Sequence, residues 1–302
     1  MKKPIGISIF ALQKRYGDRR ALEICAESGF DAVDFNLCEF GAEGEPIYAA
    51  GDDAILAYFS DLADYARSLG LEISQTHGRL RNYVPDETYN RWAHEVSRKD
   101  LLATHALGAP SCVIHSMTTG RWPEADAAFM HAKNLDFFQG LVPFAETYDV
   151  NLALETFGDS KRYGKRVIDF FGDSRELKKQ FDLLQTDHKV LCMDTGHTNK
   201  AHSVGADDGS AVPDVVESIY LLGSDIKLLH LNDNNGFTDQ HLPPMYNMQG
   251  SVPWKAVFKA LDEIGYQGVY NFELSLDNFG AATEDAVRFL AGYLRRAVEG
   301  TL

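Results

Sequence analysis

The chain has 302 residues, 45% hydrophobic and 24% charged, enough to bury a large core, with a formal net charge of −15 from 29 basic and 44 acidic residues. That balance argues against a nucleic-acid or anionic-membrane surface, because sequence-independent phosphate binding needs basic patches. Cys25, Cys38, Cys112 and Cys192 show no CxxC spacing, the opening MKKPIGISIF has no long apolar segment or cleavage site, and no run reaches membrane-spanning length. A reduced, cytoplasmic protein with no signal peptide and no transmembrane helix is the expectation.

Short β-rich runs alternate with longer amphipathic ones. Predicted strands cover 5–10, 32–37, 72–77, 111–115, 151–156, 190–194, 226–232 and 268–274. The helical patterns between and after them cover 19–28, 53–69, 86–107, 125–147, 174–184, 213–222, 254–264 and 284–298. Pro123, Pro213 and Pro253 stand at or just before helix starts, where a missing N–H costs little. Gly70, Gly108 and Gly265 close helices, the usual left-handed stop. Strand then helix, eight times over, predicts a single (β/α)₈ barrel domain across residues 1–302. An open doubly wound sheet would want a glycine-rich phosphate loop after an early strand, and no GxGxxG or GxxxxGK[ST] is present.

Barrel active sites sit at the carboxyl ends of the strands. In order, those ends read His77 in SQTHG, His115 in CVIHS, Glu155 in LALET, Asp194 and His197 in CMDTGH, His230 in LLHLND and Glu273 in NFELS. Asp239 and His241 follow in the loop TDQHLPP. Carboxylates converging in a barrel mouth would repel unless a cation neutralised them. Glu155, Asp194, His230 and Glu273, one from each of strands five to eight, make an ordinary ligand set for a divalent ion. Gly196 is read as a sharp turn that lets His197 point back at whatever the ion holds. His77, His115, Asp239 and His241 are open between ligand, partner of a ligand and substrate contact.

CMDTGH, LLHLNDNNG with its following D-Q-H-LPP, and NFELS together resemble the xylose-isomerase-like barrel superfamily, essentially over the whole chain and most specifically from Asp194 to Glu273. The resemblance implies a metal-dependent sugar or sugar-phosphate isomerase or epimerase, with an inosose-type dehydratase or an endonuclease IV-type abasic-site nuclease as alternatives. By similarity to its ketose 3-epimerases, Glu155, Asp194, His230 and Glu273 bind one divalent metal, the two glutamates exchange a carbon-bound proton, and His197 contacts substrate. By similarity to its nuclease branch, the nine residues named above, including His77, His115, Asp239 and His241, would hold three zinc ions. This chain departs from the nuclease pattern, with Gly196 where that pattern has cysteine and Asn234-Asn235 after Asp233. It also departs from the 3-epimerases, with Lys161 where they carry a glutamate six residues after Glu155.

The expected chemistry is proton transfer through a metal-stabilised enediolate of a small sugar or polyol ketone, with Glu155 and Glu273 as acid–base partners. Mn²⁺ is the expected ion, with Mg²⁺, Co²⁺ and Zn²⁺ as alternatives. The cation-rich loop GDSKRYGKR contributes Lys161 and Arg162 as candidate substrate contacts, with Arg79 and Arg81 as further candidates for gripping an anion. Phe157, Trp122 and Tyr246 are candidate pocket walls, Trp254 is read as core, and Arg79, Leu80, Arg81 and Tyr83 would serve a nuclease as a DNA grip. A homo-oligomer is compatible with this reading.

Overall fold

The computed structural model describes residues 3–42, 45–78, 82–83, 86–119, 126–162, 164–244 and 250–302, with the side chains of 82, 83, 118, 119, 162, 207 and 208 excepted. Eight strands form one sheet: β1 (Ile5–Ser8), β2 (Ala32–Asn36), β3 (Glu72–His77), β4 (Ser111–Val113), β5 (Asn151–Glu155), β6 (Lys189–Asp194), β7 (Ile226–His230) and β8 (Tyr270–Phe272). Their order is β7-β6-β5-β4-β3-β2-β1-β8, and each neighbouring pair is parallel. A parallel bridge from Leu231 to Phe272 brings β7 against β8 and closes the ring. It is carried by Leu231 N–H to Asn271 O at 2.9 Å and Glu273 N–H to Leu231 O at 3.2 Å.

Parallel register puts all the carboxyl ends on one rim. Asn36 lies opposite His77, Cys192 opposite Glu155, and Asp194 opposite His230. Strand residues alternate in direction. Leu152, Leu154, Leu191 and Leu229 face the large core beneath the helices, whereas Val113, Ala153, Val190, Cys192 and Leu228 form a second small cluster inside the barrel.

Outside the sheet run α1 (Asp18–Ser28), α2 (Asp52–Ser68), α3 (Glu87–Leu107), α4 (Ala127–Tyr148), α5 (Ser174–Leu183), α6 (Val215–Leu222), α7 (Trp254–Glu263) and α8 (Thr283–Val298). Each follows a strand, as the sequence pattern requires. Aspartates 86, 126, 173 and 214 accept backbone N–H bonds at the starts of α3 to α6, which satisfies donors no helix can pair internally.

Differences from the sequence expectation gather at the carboxyl rim. The first predicted strand stops at Ser8 and a helix, Phe10–Tyr16, begins. The strand predicted over 111–115 ends at Val113, leaving His115 in the loop beyond it. An unexpected helix, Thr195–Asp208, starts immediately after β6, and an antiparallel hairpin, Asp159–Arg162 with Lys165–Ile168, follows β5. All four cysteines are free thiols, three of them buried. Among the described residues, no helix is long and apolar enough to cross a membrane.

Candidate metal centre

Glu155, Asp194 and His230 are the last residues of β5, β6 and β7, and Glu273 directly follows β8. One donor atom from each lies within 4.8 Å of the others. His230 Nδ1 is 2.6 Å from Glu155 Oε1 and 3.7 Å from Glu273 Oε2. Glu155 Oε2 is buried without a hydrogen-bond partner. His115 Nε2 lies 2.8 Å from it, but this is a close approach without hydrogen-bond alignment. Three carboxylates around one point, one with an orphaned buried oxygen, suit a hard divalent cation. The donor set therefore fits the ion expected from sequence.

The neighbours of these donors fix their directions. Asp194 caps the helix Thr195–Asp208: its Oδ1 accepts the His197 N–H at 2.7 Å, and both oxygens face Asn232 Nδ2 at 3.2 Å. Gly196 lies in the first turn of that helix, outside the left-handed region, so the expected sharp turn is not its function. Its constraint is space, since a Cβ there would lie 1.8 Å from Asn232 Oδ1.

His230 Nε2 faces Asp34 Oδ2 at 3.1 Å. Gln75 Nε2 lies 3.1 Å from the same nitrogen, but a carboxylate only accepts, so Nε2 carries a hydrogen; in the metal-free protein Nδ1, 2.6 Å from Glu155 Oε1, carries one too, and an ion at the centre would displace it. His77 stacks on His230 with centroids 5.2 Å apart and an interplanar angle of 16°, and its Nε2 is 3.2 Å from His115 Nε2. His77, Glu155 and His230 also offer donor atoms within ion-holding distance of one another.

A third group, His197, Asp239 and His241, lies further out. Asp239 Oδ2 is 3.7 Å from His197 Nε2 and 3.5 Å from His241 Nε2. His241 is held at a φ of 46° with its Nδ1 3.0 Å from Glu273 O. Phe157 stacks on His197 at 5.9 Å and meets His115 edge-on at 5.0 Å.

Burial disfavours every charged form here, yet the groups compensate one another. Burial would raise Glu155, but the facing imidazoles of His230 and His115 hold it well below the usual carboxylate range. Asp194 goes the other way: burial, reinforced by Glu155 and Glu273 and opposed by His197, lifts its carboxyl. Burial opposes the imidazolium of both His230 and His197; Cys192, Glu273 and Glu155 raise His230, and Asp194, Asp239 and Glu155 raise His197, each well above an ordinary histidine. His241 is carried to about 9 against burial by Asp239 and Glu273, and His77 to about 10 against burial by Cys38, Glu273 and Glu155. Protons on the imidazoles thus balance the crowded acids, the role a bound cation would take over.

Lys161 is exposed on the hairpin after β5. Arg79, Leu80, Arg81, Trp122 and Tyr246 lie outside the described residues, as do the side chains of Tyr83 and Arg162. Trp254 is buried, its Nε1 donating to Asp233 Oδ2 at 2.8 Å. Sequence reasoning missed Asp34, Gln75, Asn232 and Asn271. The signal for Asp34 was present: a lone acid inside the apolar run of β2, buried with no exposure.

The profile of the family described as xylose isomerase-like TIM barrel matches residues 22–296. Among curated proteins, an uncharacterized protein of Methanocaldococcus jannaschii is 28% identical over 141 residues, 46% of this chain and 42% of the relative. An uncharacterized protein of Sinorhizobium fredii is 25% identical over 193 residues, 61% of this chain and 52% of the relative. The chain therefore spans about half the length of the curated relatives it matches. Solved structures of similar fold include the IOLI protein with a zinc atom, at TM-score 0.72, 18% identity and 99% coverage of both chains. An L-ribulose 3-epimerase aligns at TM-score 0.71 and 17% identity, covering 100% of this chain and 96% of that one. A D-tagatose 3-epimerase-like protein aligns at 0.69 and 20%, covering 98% and 99%. At these identities the likeness is one of fold.

Proposed function

The chain belongs to the xylose isomerase-like TIM barrel family, and on that footing we propose that it is a divalent-metal-dependent isomerase or epimerase of a small sugar or polyol ketone. The observation that carries the reading is the convergence of Glu155, Asp194, His230 and Glu273 on one point at the barrel rim. The L-ribulose 3-epimerase and the D-tagatose 3-epimerase-like protein among the similar structures support it. Glu155, Asp194, His230 and Glu273 would hold the ion, Mn²⁺ first, with Mg²⁺, Co²⁺ or Zn²⁺ as substitutes. Such an ion supplies Lewis acidity to a carbonyl and its neighbouring hydroxyl, so that the adjacent C–H becomes acidic.

The protein's own groups do the proton work. Glu155 and Glu273 stand on β5 and after β8, and one removes the carbon-bound proton while the other returns it. Positioned proton transfer of this kind is worth roughly 10²–10⁴-fold. Return to the opposite face of the same carbon is epimerisation; return to the neighbouring carbon is isomerisation. His197 hydrogen-bonds a substrate oxygen, His77 and His115 flank Glu155, and Lys161 contacts the outer end of the substrate. The whole chain acts as one catalytic domain in the cytoplasm.

A second reading, an abasic-site nuclease with a zinc cluster, draws on the outer group His197, Asp239 and His241. Loading the protein with Mn²⁺ and supplying D-allulose, D-tagatose and L-ribulose in D₂O separates the two. The sugar reading expects deuterium at the carbon beside the carbonyl, lost in Glu273→Gln. No exchange with any ketose, together with incision of abasic duplex that Glu155→Ala abolishes, selects the nuclease.

A further inference from the structure

The inner and outer groups differ in charge balance. Glu155, Asp194 and Glu273 bring three carboxylates, and among the described residues their ion-pair partners are histidines alone. The outer acid, Asp239, already has a permanent cation: Lys200 Nζ lies 3.4 Å from its Oδ1. The same ammonium is 3.4 Å from Asp159 Oδ1, and Arg166 Nε donates to Asp159 Oδ2 at 2.8 Å. Two acids and two bases therefore balance around the outer group, with the side chain of Lys200 only 10% exposed and that of Asp159 5%.

Lys200 follows His197 by three residues on one helix, so both side chains point to the same side. Arg166 also donates through Nη2 to Gly236 O at 2.8 Å and to Lys200 O at 3.3 Å. The ammonium is thus fixed where three loops meet: the hairpin after β5, the helix after β6 and the loop after β7 that carries Asp239 and His241.

We propose that Lys200 is the resident cation of the outer group. It neutralises Asp239 in place of a second divalent ion, so that the centre holds one metal and His197, Asp239 and His241 remain free to hydrogen-bond the hydroxyls of a polyol substrate. The proposal rests on the inner group being the metal centre. A dication bound by His197, Asp239 and His241 would sit within a few ångströms of the ammonium, with no surplus carboxylate to offset their repulsion.

The test is metal stoichiometry, with Zn²⁺ alone as ligand, measured by elemental analysis after dialysis and by calorimetric titration. Wild type and Lys200→Arg are expected to bind one ion per chain. Lys200→Met keeps the apolar stem and removes the charge, and it is expected to gain a second ion, bound roughly tenfold or more tighter than any second ion in wild type. Adding His197→Ala to Lys200→Met should abolish that gain. If Lys200→Met does not fold, Lys200→Gln serves the same comparison. Two or three ions in wild type would overturn the proposal, and so would a Lys200→Met or Lys200→Gln protein that still binds only one. Retention of the first ion in an Asp194→Asn, Glu155→Gln double variant would instead overturn the inner centre itself, whatever Lys200 does.

Discussion

His230 and Asp34 form a fully buried imidazole–carboxylate pair, Nε2 to Oδ2 at 3.1 Å, with neither side chain exposed to solvent. Asp34 Oδ2 is also the acceptor for Gln75 Nε2 at 3.3 Å and Asn271 Nδ2 at 3.4 Å, while Oδ1 has no hydrogen-bond partner. An isolated buried carboxylate is costly, so its persistence needs a compensating positive partner. A histidine that is protonated in the free protein, or polarised by an ion at Nδ1 in the loaded one, supplies it.

Asp34→Asn should therefore preserve the barrel and weaken the ion's grip. Replacing a carboxylate behind a ligating histidine typically costs about 10–100-fold in metal affinity. Competition against a chelator of known affinity measures it. Unchanged affinity would assign Asp34 a purely structural place in the barrel interior.

Gly196→Ala should destabilise the protein through Asn232. The added Cβ falls 1.8 Å from Asn232 Oδ1 and 2.9 Å from Asn234 Nδ2, in the first turn of a helix that Asp194 caps. Overpacking of this kind costs typically about 1–3 kcal/mol, and more where backbone must shift. Chemical denaturation of Gly196→Ala, Asn232→Ala and the double variant forms a cycle. The double variant is expected to be more stable than the sum of the single effects. Strict additivity would mean that the contact carries no strain.

The metal-free protein should lose stability as pH rises above neutrality. His241 is raised to about 9 in the folded chain, against about 6.5 for an ordinary histidine. A group whose folded pKa is raised contributes stability fully below the unfolded value and loses it as pH climbs through the folded one. The outer group's contribution therefore fades between about pH 6.5 and about 9. Melting temperatures of chelator-treated protein across that window should fall, and the slope should be shallower in His241→Gln. A slope that His241→Gln leaves unchanged would remove this residue from the account.

The thiols give an independent check of the barrel. Burial pushes Cys112 and Cys192 up to about 12, and burial raises Cys25 as well. Iodoacetamide at pH 8 should leave these three unmodified in the native protein and label all four cysteines in guanidinium. Half-buried Cys38 is the exception open to native labelling. Rapid native modification of Cys112 or Cys192 would contradict their placement in the strands.

Legibility in the sequence followed physical range. An apolar strand that ends on Glu155, Asp194 or His230 announces itself locally, because nothing in a core requires an acid or imidazole there. Gly196 was visible but misread: its constraint comes from Asn232, which only the closed sheet brings near. Asp34 was visible as a lone acid in an apolar strand but passed over, whereas Gln75 and Asn271 were hidden because parallel strands are buried on both faces, so no alternation marks an interior polar residue. Lys200 lay in a stretch expected to be loop. Its importance depends on Asp159 and Asp239, contributed by two other loops.

The most direct measurement is anomalous diffraction from crystals soaked in Mn²⁺. One peak is expected about 2 Å from donor atoms of Glu155, Asp194, His230 and Glu273 together. Its absence from that point, with these four residues ordered and the ion bound elsewhere or not at all, would contradict the assignment of the rim as a metal centre.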